Sequence, residues 1–117
     1  MDTIGNDTVL IFTNDGMGNT EHRELRHRLA KTYLTMLLDN GYLPAAVCFY
    51  TDGVRLVCRD SPVLVELRQL TERGVLLIVC KTCLDFLNLA EERQVGIVGG
   101  MADIIEAQWR AGKVIVL

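Results

Sequence analysis

Three stretches of this chain are apolar without a break: Val9-Leu10-Ile11-Phe12, Ala45-Ala46-Val47-Cys48-Phe49 and Val75-Leu76-Leu77-Ile78-Val79-Cys80. A strand with one wet face alternates apolar and polar residues. A strand that is apolar at successive positions has both faces buried, and such strands belong to parallel sheets covered by helices on both sides. Half of all residues are hydrophobic, which supplies enough material for one real core in 117 residues. These runs predict an α/β fold, a three-layer α/β/α sandwich around a mostly parallel sheet of five strands.

The segments between the runs carry the matching signals. Residues 8–13 read as the first strand, and Asn14-Asp15-Gly16-Met17-Gly18-Asn19 as a turn-rich loop. A long helix is expected over residues 20–40, with Leu25, Leu29, Tyr33, Met36 and Leu37 as its apolar stripe and Gly41 just past its end. The second strand is expected over 45–50. After Thr51-Asp52-Gly53, residues 54–58 fit either a short strand or a helical turn. Ser61-Pro62 opens a helix with Ser61 as its cap, Val63, Leu64, Leu67 and Leu70 face inward, and Gly74 stops it. Strands are expected over 75–80, 94–98 and 113–117. A helix over 101–111 carries Ile104, Ile105 and Trp109 and is capped by Gly112. The alternation of strand and helix implies right-handed crossovers and a site beyond the carboxyl ends of the strands. One domain is expected over residues 1–117, with residues 1–7 as a flexible N-terminus.

Charge and targeting signals narrow the class. The net charge is -3, and no basic stripe or interleaved aromatic residues occur, which argues against nucleic acid or an anionic membrane as partner. The start, Met1-Asp2-Thr3-Ile4-Gly5-Asn6-Asp7, lacks a basic region followed by an apolar one, and no apolar run approaches a spanning length. A cytoplasmic location is expected. Cys48, Cys58, Cys80 and Cys83 are therefore read as thiols or ligands rather than disulfides.

Cys80-Lys81-Thr82-Cys83 lies where the third strand should meet a helix, on the face where a site is expected. Thr82 and Asp85 have the spacing of a capping box, which makes Thr82 the cap of a short helix over 83–89 and Cys83 its first residue. Proximity of both thiols to a helix start and to Lys81 is expected to favour thiolate, the nucleophilic form. Other chemistries fit less well. A zinc site needs a second ligand pair, and neither Cys48 with Cys58 nor the histidines provide one; no metal is expected. A thioredoxin-like pair would follow an early strand. Gly16-Met17-Gly18 fails as a dinucleotide fingerprint, because the third glycine would fall at Glu21, and no cofactor is expected. His22 and His27 sit in a charged helix start and read as solvated. Three functions stay open on the residues alone: sulfur chemistry at Cys80 and Cys83, a non-catalytic assembly subunit with structural cysteines, and a small dithiol redox protein.

The run Phe49-Tyr50-Thr51-Asp52-Gly53-Val54-Arg55-Leu56-Val57, the helix opened by Ser61, and Val79-Cys80-Lys81-Thr82-Cys83-Leu84-Asp85 resemble the DsrE/DsrF-like sulfur-relay family. So do Thr13-Asn14-Asp15-Gly16-Met17-Gly18 at the start and Val95-Gly96-Ile97 with Met101 near the end. The similarity is strongest to the C-terminal domain of YedF-type sulfurtransferase-like selenium-metabolism proteins, in which Lys81 is often replaced by glycine. The resemblance implies a five-stranded parallel sheet and a trimer or hexamer. It also implies a persulfide on Cys80, with Cys83 as the second cysteine, exchanged with protein donors and acceptors of sulfur or selenium. Asn14, Asp15, Met17, Lys81, Thr82 and Met101 are then the candidate binding residues around Cys80 and Cys83.

Overall fold

The computed structural model describes residues 6–117. Five strands, β1 (Thr8–Phe12), β2 (Ala46–Phe49), β3 (Leu76–Cys80), β4 (Ile97–Gly99) and β5 (Lys113–Val116), form one sheet in the order β4-β3-β2-β1-β5. Every pairing is parallel, with Val9 opposite Ala46 and Val114, Ala46 opposite Leu76, and Ile78 opposite Ile97. The helices are α1 (Arg23–Asn40), α2 (Leu64–Glu72), α3 (Lys81–Phe86) and α4 (Met101–Arg110), with 3-10 helices over Thr51–Val57 and Ala90–Glu92. The two faces follow from strand parity. Tyr33 and Leu37 of α1 meet Thr8, Leu10 and Ile115 on one face. Ala107 and Arg110 of α4 line a groove with Val9, Ala46, Ile78 and Ile97 on the other. Because successive residues of a strand point to opposite faces, α1 and α4 cover opposite sides of the sheet. β1 and β2 are buried at every position.

Residues 1–5 of the expected flexible N-terminus lie outside the described residues. Asp7, in that same stretch, is pinned: its carbonyl accepts the N–H of Gly112 at 2.8 Å and of Lys113 at 3.3 Å. Gly112 therefore hydrogen-bonds Asp7 just before β5, and Ala111 caps α4 in its place. An added Cβ at Gly112 would lie 2.4 Å from the Asp7 carboxylate, a side-chain end that can swing aside. Gly41 ends α1 as expected, at φ 71°, with Tyr42 N–H closing back on the Leu37 carbonyl at 2.9 Å.

Several boundaries and faces differ from the sequence reading. α1 starts at Arg23, because the Thr20 carbonyl is taken by the Arg26 guanidinium at 2.6 Å. Its buried residues are Ala30 and Leu34, while Leu25, Leu29 and Met36 are exposed. Tyr33 and Leu37 of the expected stripe do pack against the core; neighbouring helix residues are offset by about 100°, so the buried face is centred on Ala30 and Leu34 and takes in only that part of the stripe. Ser61 does not cap α2. Its hydroxyl accepts the Val63 N–H in a turn that precedes the helix. Residues 54–58 resolve as the end of a 3-10 helix and its cap, and not as a strand. β4 starts at Ile97 instead of Gln94, because Gln94 N–H is bound to the Val57 carbonyl and Arg93 bridges to Cys58. In α4 only Ile104 is buried; Ile105 and Trp109 face outward.

Cys48 sits fully buried in β2, and burial pushes its thiol from the ordinary 9.0 up to about 11. The folded-state value lies above the unfolded one. The associated stability is therefore complete below pH 9 and is lost as pH rises toward 11. A loss of about 2–3 kcal/mol is expected across that window. A Cys48→Ala protein should show a shallower fall of Tm over the same pH range; parallel curves would contradict the assignment.

Candidate functional site

The carboxyl ends of β1, β2 and β3 converge on Thr51. Phe12 and Phe49, the last residues of β1 and β2, stack with ring centroids 5.7 Å apart and form the floor. Above them Tyr50 N–H donates to the Phe12 carbonyl at 3.2 Å, and the chain then enters the 3-10 helix. Thr51 holds φ 49°, a left-handed conformation that a β-branched residue rarely adopts. Its hydroxyl faces the Thr13 carbonyl and the Tyr50 carbonyl, the latter at 2.7 Å. That clamp offsets the strain and aims the Thr51 N–H at Cys83 Sγ, 3.0 Å away. Gly53 lets the helix sit this low. An added Cβ would stand 2.1 Å from the Phe12 carbonyl oxygen, a backbone atom of a buried strand.

The two cysteines differ in environment. Cys80 ends β3 opposite Gly99, caps α3 and is only 4% exposed. Cys83 lies in the first turn of α3 and is half-buried. Neither forms a disulfide. Burial raises the Cys83 pKa, and so does the adjacent Cys80 side chain, while the Thr51 N–H lowers it; the balance is upward. This overturns the expected thiolate-favouring setting at Cys83. The helix start also differs from the expected one. α3 begins at Lys81 with Cys80 as cap, so Thr82 is not the cap and no capping box forms. Asp85 is free to take Lys81 instead, with Nζ–Oδ2 at 2.6 Å, and that bond raises the Lys81 pKa and consumes its cation. Thr82 is exposed on α3.

The loop after β1 goes elsewhere. Asn14 braces it, accepting the Asp15 N–H at 2.8 Å and donating to the Gly18 carbonyl at 2.9 Å. Asp15 is buried and turned to α1, where its carboxylate meets Arg23 at 3.2 Å and His27 at 3.0 Å. His27, expected to be solvated, is thus a partner of a buried acid. Met17 lines an apolar groove with Leu29, Tyr33 and Met36 of α1. Met101 opens α4 and is exposed. The structure accordingly brings Cys80 and Cys83 together with Thr51 and Thr13, and sends Asp15 and Met17 to other surroundings. Thr51 was visible in the sequence only as part of a turn. No local pattern marks a threonine that will hold a positive φ.

Cys48 and Cys58 are buried, and burial raises both pKa values, which makes them poor nucleophiles. No group of three or more metal-ligating side chains occurs among the described residues, and no described helix is long and apolar enough to cross a membrane.

A parallel α/β sheet with paired free thiols at its carboxyl edge defines the class as a small cysteine-bearing α/β protein. The chain belongs to the DsrE/DsrF-like family, which it matches over residues 7–117, a family associated with sulfur relay. No curated protein gives a significant sequence match. Among solved structures the fold is similar to that of the ychN protein from E. coli, with TM-score 0.67 and 19% identity over 94% of this chain and 98% of that one. It is also similar to MTH1491, a protein of unknown function from Methanobacterium thermoautotrophicum, with TM-score 0.68 and 21% identity over 94% and 97% of the two chains. A conserved protein of unknown function from Bacteroides thetaiotaomicron, BT1422, gives TM-score 0.65 and 17% identity over 96% of each chain. At these identities the likeness concerns the fold.

Proposed function

We propose that residues 1–117 act as one DsrE-like domain that carries sulfane sulfur, or selenium, as a cysteine persulfide on the Cys80–Cys83 pair. The observation that carries the reading is the pair itself, held at the carboxyl edge of the sheet with the Thr51 N–H directed at Cys83 Sγ. In the forward step the Cys80 thiolate attacks the outer sulfur of a donor persulfide. The donor S–S bond breaks, the donor leaves as a thiolate, and Cys80 holds the persulfide. An acceptor thiolate then takes the outer sulfur by the same displacement, with no net redox change. Attack by the Cys83 thiolate on the inner Cys80 sulfur would instead expel hydrosulfide and leave a Cys80–Cys83 disulfide.

Exposure favours a second assignment within the same reading. Cys80 is 4% exposed, whereas Cys83 is half-buried and already accepts an N–H. That makes Cys83 the sulfur a donor protein reaches first. Incubation with a cysteine desulfurase and cysteine, followed by intact mass, tests the function: a gain of one sulfur atom is expected. Mapping by alkylation then separates Cys80 from Cys83. No gain, with both thiols reduced, would favour an assembly subunit, and turnover of a disulfide substrate without sulfur gain would favour a dithiol redox protein.

Thr51 acts here as a positioning residue. Thr51→Val removes the hydroxyl clamp and keeps a side chain that disfavours positive φ, so the N–H should turn away from Cys83. Its lowering influence on the thiol is then lost, and Cys83 alkylation at neutral pH should slow several-fold, with the pH profile displaced upward. Thr51→Ser should behave as wild type. Equal profiles for all three proteins would remove Thr51 from the site.

The protomer is proposed to assemble as a homo-oligomer, a trimer or hexamer by family resemblance, in a soluble cytoplasmic setting with protein donors and acceptors. Supporting this are large apolar side chains left outside: Trp109 at 84% and Val116 at 63% exposed, with Ile105 and Val114. Light scattering at micromolar protein is expected to return a multiple of the protomer mass; a monomer would overturn the assembly.

A further inference from the structure

We propose that the cavity between the start of α1 and the end of the 3-10 helix Thr51–Val57 binds a small tetrahedral oxyanion such as phosphate, sulfate or thiosulfate. The cavity is about 100 Å3, a volume suited to such an ion and too small for a nucleotide. Arg23 and His27 of α1 enter its wall from one side, and Arg55, Arg59 and Ser61 from the other. None of these comes from the sheet edge that holds Cys80 and Cys83, and the proposal does not rest on sulfur carriage.

The argument turns on how the arginines are held. Arg23 is anchored by Nε to Asp15 at 3.2 Å, and Arg55 by Nε to Asp52 at 3.1 Å. Each bond uses the inner nitrogen of the guanidinium and leaves both terminal nitrogens without a hydrogen-bond partner among the described residues. Arg59 is anchored differently, through Nη2 to Glu92 at 3.3 Å, which leaves Nε and Nη1. An arginine fixed at one nitrogen with the rest of its fork available is arranged for an oxyanion, which accepts parallel N–H bonds. Side-chain ordering has been met by the carboxylates, so less is lost on binding.

Net charge does not by itself select an anion here, because each arginine is already anchored by a carboxylate, Asp15, Asp52 or Glu92; the directed N–H groups left over do. Three arginines line the cavity, with two carboxylates, Asp15 and Asp60. Asp15 is paired with Arg23 and hydrogen-bonded by His27. Asp60 forms no ion pair among the described residues and is exposed at the rim, where it opposes an anion. Its φ of 71° suits asparagine as well as aspartate, so the charge can be removed without disturbing the turn.

Titration of the full chain with inorganic phosphate by calorimetry, against chloride at matched ionic strength, tests the assignment. Saturable binding of one phosphate per protomer is expected. Arg55→Gln, whose partner Asp52 is exposed, should weaken it by roughly tenfold, the scale of one charge-assisted bond. Asp60→Asn should tighten it. Arg110→Gln, on α4 and away from the cavity, should leave it unchanged and controls for net charge. Thermal melts of each variant in chloride show that it is folded. No saturable binding, or affinity unmoved by both Arg55→Gln and Asp60→Asn, would overturn the proposal.

Discussion

Serine at both Cys80 and Cys83 is expected to abolish the gain of sulfane sulfur while leaving the fold intact. The buried cysteines cannot substitute: burial raises the Cys48 and Cys58 thiols, and Cys58 also spends its S–H on the Val54 carbonyl at 3.2 Å. Cys48→Ser should therefore load like wild type. The single variants carry more information. If Cys80 is the carrier, Cys80→Ser loses the sulfur, and Cys83→Ser retains it for longer because no neighbouring thiol resolves the persulfide. If exposure governs, the outcome inverts, with Cys83→Ser empty and Cys80→Ser loaded. Equal loading of wild type, both single variants and the double variant would make the pair structural and end the sulfur-carrier reading.

Gly53→Ala is expected to be the most damaging small substitution near the site. Its methyl group would lie 2.1 Å from the Phe12 carbonyl oxygen and 2.7 Å from the Phe12 carbonyl carbon. Neither atom can yield, since Phe12 is fully buried and pairs with Phe49 across the sheet. The 3-10 helix must lift instead, at a cost of about 3 kcal/mol, or on the order of 10 °C in Tm. Lifting it also withdraws the Thr51 N–H from Cys83, so the alkylation profile of Cys83 should change together with stability. Gly100→Ala is the contrast: nothing lies within 4 Å of an added Cβ there, and its Tm should stay within about 2 °C of wild type. Equal melting of the two variants would show that the close approach at Gly53 is not a constraint.

The sheet was legible because burial on two faces writes itself into consecutive residues. Val75-Leu76-Leu77-Ile78-Val79 has few alternatives to a covered parallel strand, and Gly41 and Gly74 end their helices at positive φ as their placement suggested. The inward face of α1 was legible only in part: Tyr33 and Leu37 pack against the core as expected, and the rest of the expected stripe does not. Leu29 and Ala30 are adjacent, and hydrophobicity alone favours the leucine; yet Ala30 is buried and Leu29 is outside. Likewise, Thr82 with Asp85 has the spacing of a capping box. In the fold Asp85 found Lys81 on its own helix face, and the last residue of β3 became the cap.

What the sequence by itself determined was the layer architecture, the number of strands and the location of Cys80 and Cys83 at a strand's carboxyl end. These follow from local periodicity and turn chemistry, which act over a few residues. The tertiary structure alone decided the surroundings of the thiols. The Thr51 N–H reaches Cys83 across 32 positions of sequence, Asp15 is drawn away to His27, and the clamp on Thr51 is closed by a carbonyl of the β1 loop 38 positions earlier. The two Thr51 contacts join segments that follow different strands. Strand order and register bring those segments together, and neither is encoded in any single stretch of the chain.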